Sequence, residues 1–435
     1  MKLIRYTWIL VLMVMQSLNA QIQNSETLEP FIHRLKENQG VTQILFLGDS
    51  HTQADWLTGV LRHKFQERFG NAGRGLVFPY ALANSNGPED IHSYSNTTWE
   101  NFRLVYEQDV FPQMGASGFV MGNHSPALIE MELAPEDSFD RVVIFNDEAM
   151  DGQPLSLLET PNYLKDFIRK DKKIITHRVD ASETFPELAS KFYTTTTRLN
   201  QLNRSQKPQV GQLLKVEDTK IIYNPTLENE VREILKTNYS SNRTEIQLPK
   251  NTHRLLLKTH AKNGNIFYGF QFLKNCEKGV VFNTVGVNGA TYADYLKYPL
   301  QIEQLQTLNP DIVIIALGTN ESLSIIKEEE FKSNAKQLIK NIKSKNPHLP
   351  ILILSPQDNQ RKSERVAQIA TWLETVAKEE HTAFFDLHQA LGGKGYFNQA
   401  LRRKEANQDG VHFLKSGYEK QADKIFSAIE TLLQK

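Results

Sequence analysis

Five short β-like runs punctuate this chain: Gln43–Leu47, Val280–Val285, Ile312–Leu317, Ile351–Ser355 and Ala383–Asp386. The first, third and fourth are apolar throughout or nearly so. A strand that is apolar along its whole length is covered on both faces, which is the habit of parallel sheets. Between the later runs the apolar residues recur at helical spacing. Phe331, Ala335, Leu338 and Ile342 form one such stripe, and Val366, Ile369, Ala370, Leu373, Val376 and Ala377 form another. Ala422, Ile425, Phe426, Ile429 and Leu433 close the chain in the same way. Strand alternating with helix dictates βαβ units, so the expectation is an α/β domain built on a parallel sheet.

The rhythm breaks once. Between the first helical pattern, which ends near Phe69, and the strand beginning at Gly279 lie about two hundred residues, far more than a crossover needs. Ala127–Leu133, Arg141–Phe145, Thr219–Tyr223 and Thr244–Leu248 read as short strands within it. The stretch from Arg254 to Phe272 reads as a hairpin with Asn263-Gly264 in its turn, a pair that favours the tight primed turn. Ile266, Tyr268, Phe270 and Phe272 alternate along its return strand, which predicts one buried and one exposed face. We therefore expect a β-sandwich-like domain over residues 87–275, inserted into an α/β domain made of residues 21–86 and 276–435. Its aromatic residues Trp99, Tyr106, Phe267 and Tyr268 fit packing better than a sugar platform. No internal repeat or low-complexity segment stands out.

Lysine plus arginine equal aspartate plus glutamate, 50 against 50. Without a basic face to neutralise phosphates, nucleic acid is not an expected partner. The acidic cluster Lys327–Glu330 reads as the solvated first turn of a helix. Residues 1–20 carry Lys2 and Arg5, a short apolar core and Ala20, the pattern of a signal peptide cleaved before Gln21. That core is too short to span a bilayer comfortably, so no membrane span is expected after cleavage. No cysteine stands near the cleavage point to take a lipid. Cys276, the only cysteine, can form no internal disulfide and no cysteine-based zinc site. An exported chain of this kind suits a bacterial periplasm or cell surface. His63, His92, His124, His253 and His260 lack metal-ligand spacing, and neither a metal nor a cofactor is expected.

Polar clusters follow the strands where an open parallel sheet presents its active edge. Gly48-Asp49-Ser50-His51 follows the first, Gly286–Thr291 the second and Gly318–Ser322 the third, and Asp409–Phe413 precedes the last helix. Singly, each has an ordinary reading: Ser50 or Asp49 can cap the next helix, and an Asp-x-x-His is common. Together they supply a reaction. A serine hydroxyl is a weak nucleophile until an imidazole accepts its proton, and the imidazole needs a carboxylate to fix its tautomer. Ser50, His412 and Asp409 are those parts. A tetrahedral intermediate also needs donors for its oxyanion. The candidates are the backbone N–H of Ser50, the backbone N–H of Gly289 and the side-chain amide of Asn320.

Gly-Asp-Ser near the start, a glycine turn after the next strand, Gly-x-Asn and a late Asp-x-x-His resemble the SGNH, or GDSL-type, hydrolases. The resemblance covers the α/β part and implies a three-layer α/β/α sandwich with a five-stranded parallel sheet, flavodoxin-like. It also implies Ser50 as nucleophile, Gly289 and Asn320 in the oxyanion hole, and His412 and Asp409 as base and orienting acid. Where many members have Gly-x-Asn-Asp, this chain has Glu321 after the asparagine. The stretch Gly48–Pro79, with Val285–Thr291, Gly318–Glu321 and Asp409–Phe413, looks like the bacterial peptidoglycan O-acetylesterases. In those enzymes a β-rich domain, similar to a carbohydrate-binding module, follows the first block. The family implies metal-free removal of O-acetyl groups from N-acetylmuramoyl residues.

The expected activity is thus an exported serine esterase acting on an O-acetylated cell-wall polysaccharide. An O-acetyltransferase would use the same residues with a sugar hydroxyl as acceptor, and the difference lies in how water is excluded. A non-catalytic carbohydrate-binding protein is the third reading, opposed by the completeness of the set. His51 either lines the pocket or holds its turn, Asp55 offers charge at a helix start, and Asp358 is a candidate substrate contact. His388 has no partner legible in the sequence.

Overall fold

The computed structural model describes residues 21–111, 113–180, 183–204, 208–260 and 262–435, so the expected leader lies outside the described residues. The chain divides into two compact units. One runs to Ala72 and resumes over Cys276–Lys297 and Gln306–Lys435; the other comprises Gly73–Asn275 and Tyr298–Leu305.

The first unit is the α/β domain. Its strands are β1 (Gly40–Gly48), β2 (Lys278–Gly286), β3 (Ile312–Ala316), β4 (Ile351–Leu354) and β5 (Ala383–Phe385). They form one five-stranded sheet in the order β2-β1-β3-β4-β5. Every neighbouring pair is parallel. All five β-like runs of the sequence are therefore strands of one sheet, as the α/β reading expects. Its longer helices are α1 (Glu29–Glu37), α2 (Trp56–Phe69), α3 (Glu328–Lys343), α4 (Ser363–Glu379) and α5 (Lys415–Leu433). Glu328, Glu329 and Glu330 occupy the first turn of α3, with Lys340 and Lys343 in its last, the arrangement that suits the helix dipole.

Period-two alternation splits the strand side chains between two layers. Ile44, Phe46, Val280, Phe282, Ile314, Leu352 and Phe385 join one core with Phe31 and Leu35 of α1, Leu61 and Phe65 of α2, and Ile425 and Ile429 of α5. Leu45, Leu47, Val281, Val313, Ile315 and Ile353 are equally buried and point the other way. The stripes Phe331–Ile342 and Val366–Ala377 are the buried faces of α3 and α4.

The register levels the carboxyl ends of the strands. Gly48 pairs with Gly286 on one side and with Ala316 on the other, so β1, β2 and β3 stop together. Two of these terminal residues have to be glycine. A Cβ on Gly48 would stand 2.1 Å from the Thr52 hydroxyl, and one on Gly286 would stand 2.4 Å from the Gln53 nitrogen. Their bare backbones let the short helix Ser50–Gln53 sit directly on the strand ends.

The second unit is β-rich. One antiparallel sheet runs Arg232–Asn238, Pro154–Glu159, Arg254–Thr259, Ala127–Leu133, Ile91–Ser95 in spatial order. A second runs Arg243–Thr252, Phe139–Asn146, Asn265–Leu273, Phe119–Asn123, Glu100–Arg103, and Gly75–Val77 also pairs with Asn265–Leu273. Ile168–Arg178 and Leu213–Tyr223 form a separate antiparallel ribbon. Trp99, Phe267 and Tyr268 are fully buried here.

The hairpin read between Arg254 and Phe272 does not form. Arg254–Thr259 pairs on both edges within the first sheet, with Ala127–Leu133 and Pro154–Glu159. Asn265–Leu273 pairs with Phe139–Asn146, Phe119–Asn123 and Gly75–Val77 in the second. The Asn-Gly turn therefore carries the chain from one sheet to the other, because longer-range partners occupy the edges a hairpin would use. Nor does the return strand keep an exposed face. Phe267, Tyr268, Phe270, Gln271, Phe272 and Leu273 are all buried, as befits an interior strand of its sheet.

Phe65 is the hub of the α/β core. It is fully buried, and its ring meets Phe31 at 6.5 Å, Phe282 at 6.1 Å and, edge-on, Phe426 at 5.1 Å. Phe65→Ala should destabilise the unit by about 3–5 kcal/mol, measured as a lowered urea midpoint for its unfolding transition.

Candidate active site

Three of the sequence-predicted residues meet in one hydrogen-bonded line. Ser50 begins the short helix on β1, with its Oγ 2.7 Å from Nε2 of His412. Nδ1 of the same ring lies 2.7 Å from Oδ2 of Asp409. With Nδ1–H given to the carboxylate, Nε2 is left as the acceptor for the serine proton. The loop before α5 is shaped for this. Asp409 Oδ1 accepts the backbone N–H groups of Val411 at 2.8 Å and His412 at 2.9 Å, folding the loop into a tight turn. Arg361 Nε donates to the Asp409 carbonyl, and Gln360 N–H to that of Gly410, anchoring the turn. Burial alone would raise the Asp409 carboxyl, but the two N–H bonds and the imidazole outweigh it and hold the group below the ordinary aspartate value.

The three expected oxyanion donors lie beyond the ends of β1, β2 and β3. Ser50 is the first residue of its helix, a position whose N–H has no intrahelical acceptor. Gly289 sits at φ 87°, in the left-handed region that glycine enters freely. Asn320 Nδ2 donates one N–H to the Ala290 carbonyl at 2.8 Å, which orients the amide and leaves its second N–H available.

Beneath these groups the floor of the site is polar and buried. Asp49 caps the short helix by accepting the His51 N–H at 2.9 Å, and burial pushes its carboxyl up to about 6. His51 is itself buried. Its Nδ1 shares a 2.8 Å hydrogen bond with the Tyr418 hydroxyl, and its ring centroid lies 5.1 Å from that of His412. Burial, reinforced by the nearby His412, drives the His51 imidazole well below its ordinary value, so it stays neutral. Of its two sequence readings, the burial and these partners match the one in which it holds the turn.

Asp358 is not drawn to this cluster by any hydrogen bond among the described residues. It is buried, with Oδ1 accepting from the Ser363 hydroxyl and Oδ2 from the Phe397 N–H at 3.0 Å. Both oxygens thus pin helix starts, because a buried carboxylate must find donors inside the protein. Asp55 likewise sits at the N-terminus of α2, bonded to the Thr58 hydroxyl and near Arg62. Tyr418, one helical turn into α5, escaped the sequence reading, and Glu321, noted there only as the residue after Asn320, is wholly buried although it lies in a polar turn.

Residues 263–420 match the GDSL-like lipase/acylhydrolase family. This part of the chain is similar to a GDSL-type acylhydrolase domain, and the match supports the serine-esterase class of enzyme. The matched segment holds Gly289, Asn320, Asp409 and His412, whereas Ser50 precedes the β-rich unit and stands apart from it in sequence. No curated protein matches the chain. Among solved structures, one described as a peptidoglycan O-acetylesterase in action is similar over 93% of this chain and 96% of its own, at 18% identity and a TM-score of 0.63. The likeness establishes a shared fold. A lipase/acylhydrolase from Enterococcus faecalis covers 36% of this chain and 77% of its own at 20% identity, with a TM-score of 0.29. An acetylxylan esterase from Geobacillus stearothermophilus, solved as a catalytic mutant, covers 35% and 73% at 22% identity and 0.28.

A neutral His51 has a direct signature. In an NMR titration its ring Cε1–H resonance should stay flat between pH 6 and pH 8. A mid-range inflection would show that the ring is not held neutral by its burial.

Proposed function

We propose that this enzyme is an exported O-acetylesterase of cell-wall polysaccharide, with O-acetylated N-acetylmuramoyl residues of peptidoglycan as its substrate. The observation that carries the reading is the line Ser50 Oγ–His412–Asp409, with both contacts at 2.7 Å. The likeness in fold to a peptidoglycan O-acetylesterase over 93% of the chain supports the choice of polymer. The leader read in residues 1–20 supports export, and among the described residues no helix is long and apolar enough to cross a membrane.

In this reading His412 Nε2 takes the Ser50 proton as Oγ attacks the acetyl carbonyl carbon. The carbonyl π electrons move to oxygen, and the N–H groups of Ser50, Gly289 and Asn320 receive the negative charge. Collapse breaks the bond to the sugar oxygen, which leaves with the proton held by His412. A water molecule then gives its proton to His412 and attacks the acetyl-enzyme, and acetate departs as Ser50 regains its hydrogen. Asp409 stays ionised throughout and stabilises the imidazolium. No metal enters these steps. An acetyltransferase differs only in the second half, where a sugar hydroxyl replaces water.

Ser50→Ala should lower hydrolysis of a chromogenic acetyl ester by at least ~10³-fold. Asn320→Ala should cost about 10²–10³-fold in kcat through the lost oxyanion donor. Near wild-type activity in the first variant would overturn the serine mechanism. Acetate release should be faster from O-acetylated peptidoglycan than from acetylated xylan, and the reverse order would overturn the polymer assignment. Running both with an added sugar acceptor separates the two fates of the acetyl group: acetyl sugar in place of acetate would mark a transferase.

A further inference from the structure

The turn that carries Gly289 is held from two sides by adjacent residues of the helix Thr319–Ser322. Asn320 Nδ2 donates to the Ala290 carbonyl, and Oε1 of Glu321 accepts the Tyr292 N–H at 2.7 Å. Other bonds complete the turn: Asn288 N–H to Gln53 Oε1 at 2.7 Å, Ala290 N–H to the Val287 carbonyl, and Thr291 N–H to Asp294. Glu321 is 2% exposed, and its second oxygen has no hydrogen-bond partner among the described residues. A carboxyl group buried this deeply, with one oxygen bare, is an arrangement that a surface turn would not need. We infer that Glu321 is a positioning residue whose carboxyl group, acting through Tyr292, fixes the turn that presents the Gly289 N–H to the reacting carbonyl. This rests on the oxyanion role proposed for Gly289.

The charge state of Glu321 follows from its surroundings. The groups facing it are Asp49 from the end of β1, and Tyr292 and Asp294 from the turn. Asp294 is paired with Lys297, and Glu321 forms no ion pair among the described residues. Burial, then the Asp49 and Asp294 charges, push its carboxyl up to about 8, against the Tyr292 N–H bond that favours ionisation. Near neutral pH it is a neutral acid, with its proton on the side away from Tyr292. Ionisation would place a negative charge behind the turn that must receive the negative oxyanion, which opposes catalysis. The carboxyl also couples to stability. Its folded value lies above the ordinary glutamate value of 4.5, so its stabilising contribution is complete below pH 4.5 and is lost as pH rises to about 8.

The test compares pH profiles of kcat on a chromogenic acetyl ester, corrected for spontaneous hydrolysis, for the wild type, Glu321→Gln and Glu321→Ala. Gln keeps an oxygen for the Tyr292 N–H but cannot ionise. The wild-type kcat should fall about tenfold from pH 7 to pH 9, as the protonated fraction of a group titrating at about 8 falls. The Gln variant should be flat across that range. Glu321→Ala should lose at least about tenfold in kcat at pH 7 with KM changed less than twofold, because the turn is released while substrate contacts remain. In parallel, the Tm of Glu321→Gln relative to wild type should rise between pH 4.5 and 8 and level off above. An alkaline fall that persists in the Gln variant would overturn the inference. So would an Ala variant with wild-type kcat. Should the Ala variant fail to fold, the Gln profile decides alone. Failure of the serine mechanism would instead show as activity surviving Ser50→Ala, whatever the Glu321 variants do.

Discussion

Everything at the candidate site depends on three parallel strands ending at one level. Because Gly48 is paired to both Gly286 and Ala316, the residues that follow these strands leave the sheet from one line. Each then needs only two to four residues to deliver Ser50, Gly289 or Asn320. A register slip would move each strand's side chains to the opposite layer and shift its loop by one residue rise, about 3.3 Å. That is more than a hydrogen-bond tolerance. The two cores on either side of the sheet therefore protect the geometry of the chemistry as well as the stability of the fold.

The electrostatics of the floor complement this. Asp49, Glu321 and His51 are all buried, and burial moves each toward its uncharged form. Asp409 is the exception, held ionised by N–H donors from its own turn. The result is one firmly anionic carboxylate aligned with His412, set above a floor in which Glu321 and His51 are neutral near pH 7. A serine mechanism needs that contrast, because it must stabilise an imidazolium on one side of the serine and an oxyanion on the other.

Much of this was legible in the sequence for physical reasons. Parallel strands buried on both faces leave continuous apolar runs, and Ile312–Leu317 and Ile351–Ser355 are examples that no half-exposed strand would imitate. Loops at the active edge are short, so Ser50, Asn320 and the Asp409–His412 pair stood close to recognisable strand or helix boundaries. The β-rich unit was read less well. Asn263-Gly264 is a local signal for a hairpin, but pairing is decided by which edges are free, and Arg254–Thr259 found partners about a hundred or more residues upstream. Asp358 shows a related limit. Its position after β4 matched the active edge, while the needs of two helix starts, invisible in a linear reading, claimed both of its oxygens. The burial of Glu321 was equally hidden, because a Gly-Thr-Asn-Glu turn looks solvated until its neighbours are placed.

The insertion of the β-rich unit between β1 and β2 has a kinetic meaning. These two strands are adjacent in the sheet, and Asn283 Nδ2 donates to Gln43 Oε1 across 240 positions of sequence. Closing so long a loop adds little to its equilibrium cost, since each doubling of length costs only about 0.6 kcal/mol. Its effect falls on the order of events. A ribosome emits Ser50 early and Gly289 only after Gly73–Asn275 has been made, with Asn320, Asp409 and His412 later still. The serine is thus born on an unpaired strand, long before anything exists that could activate it.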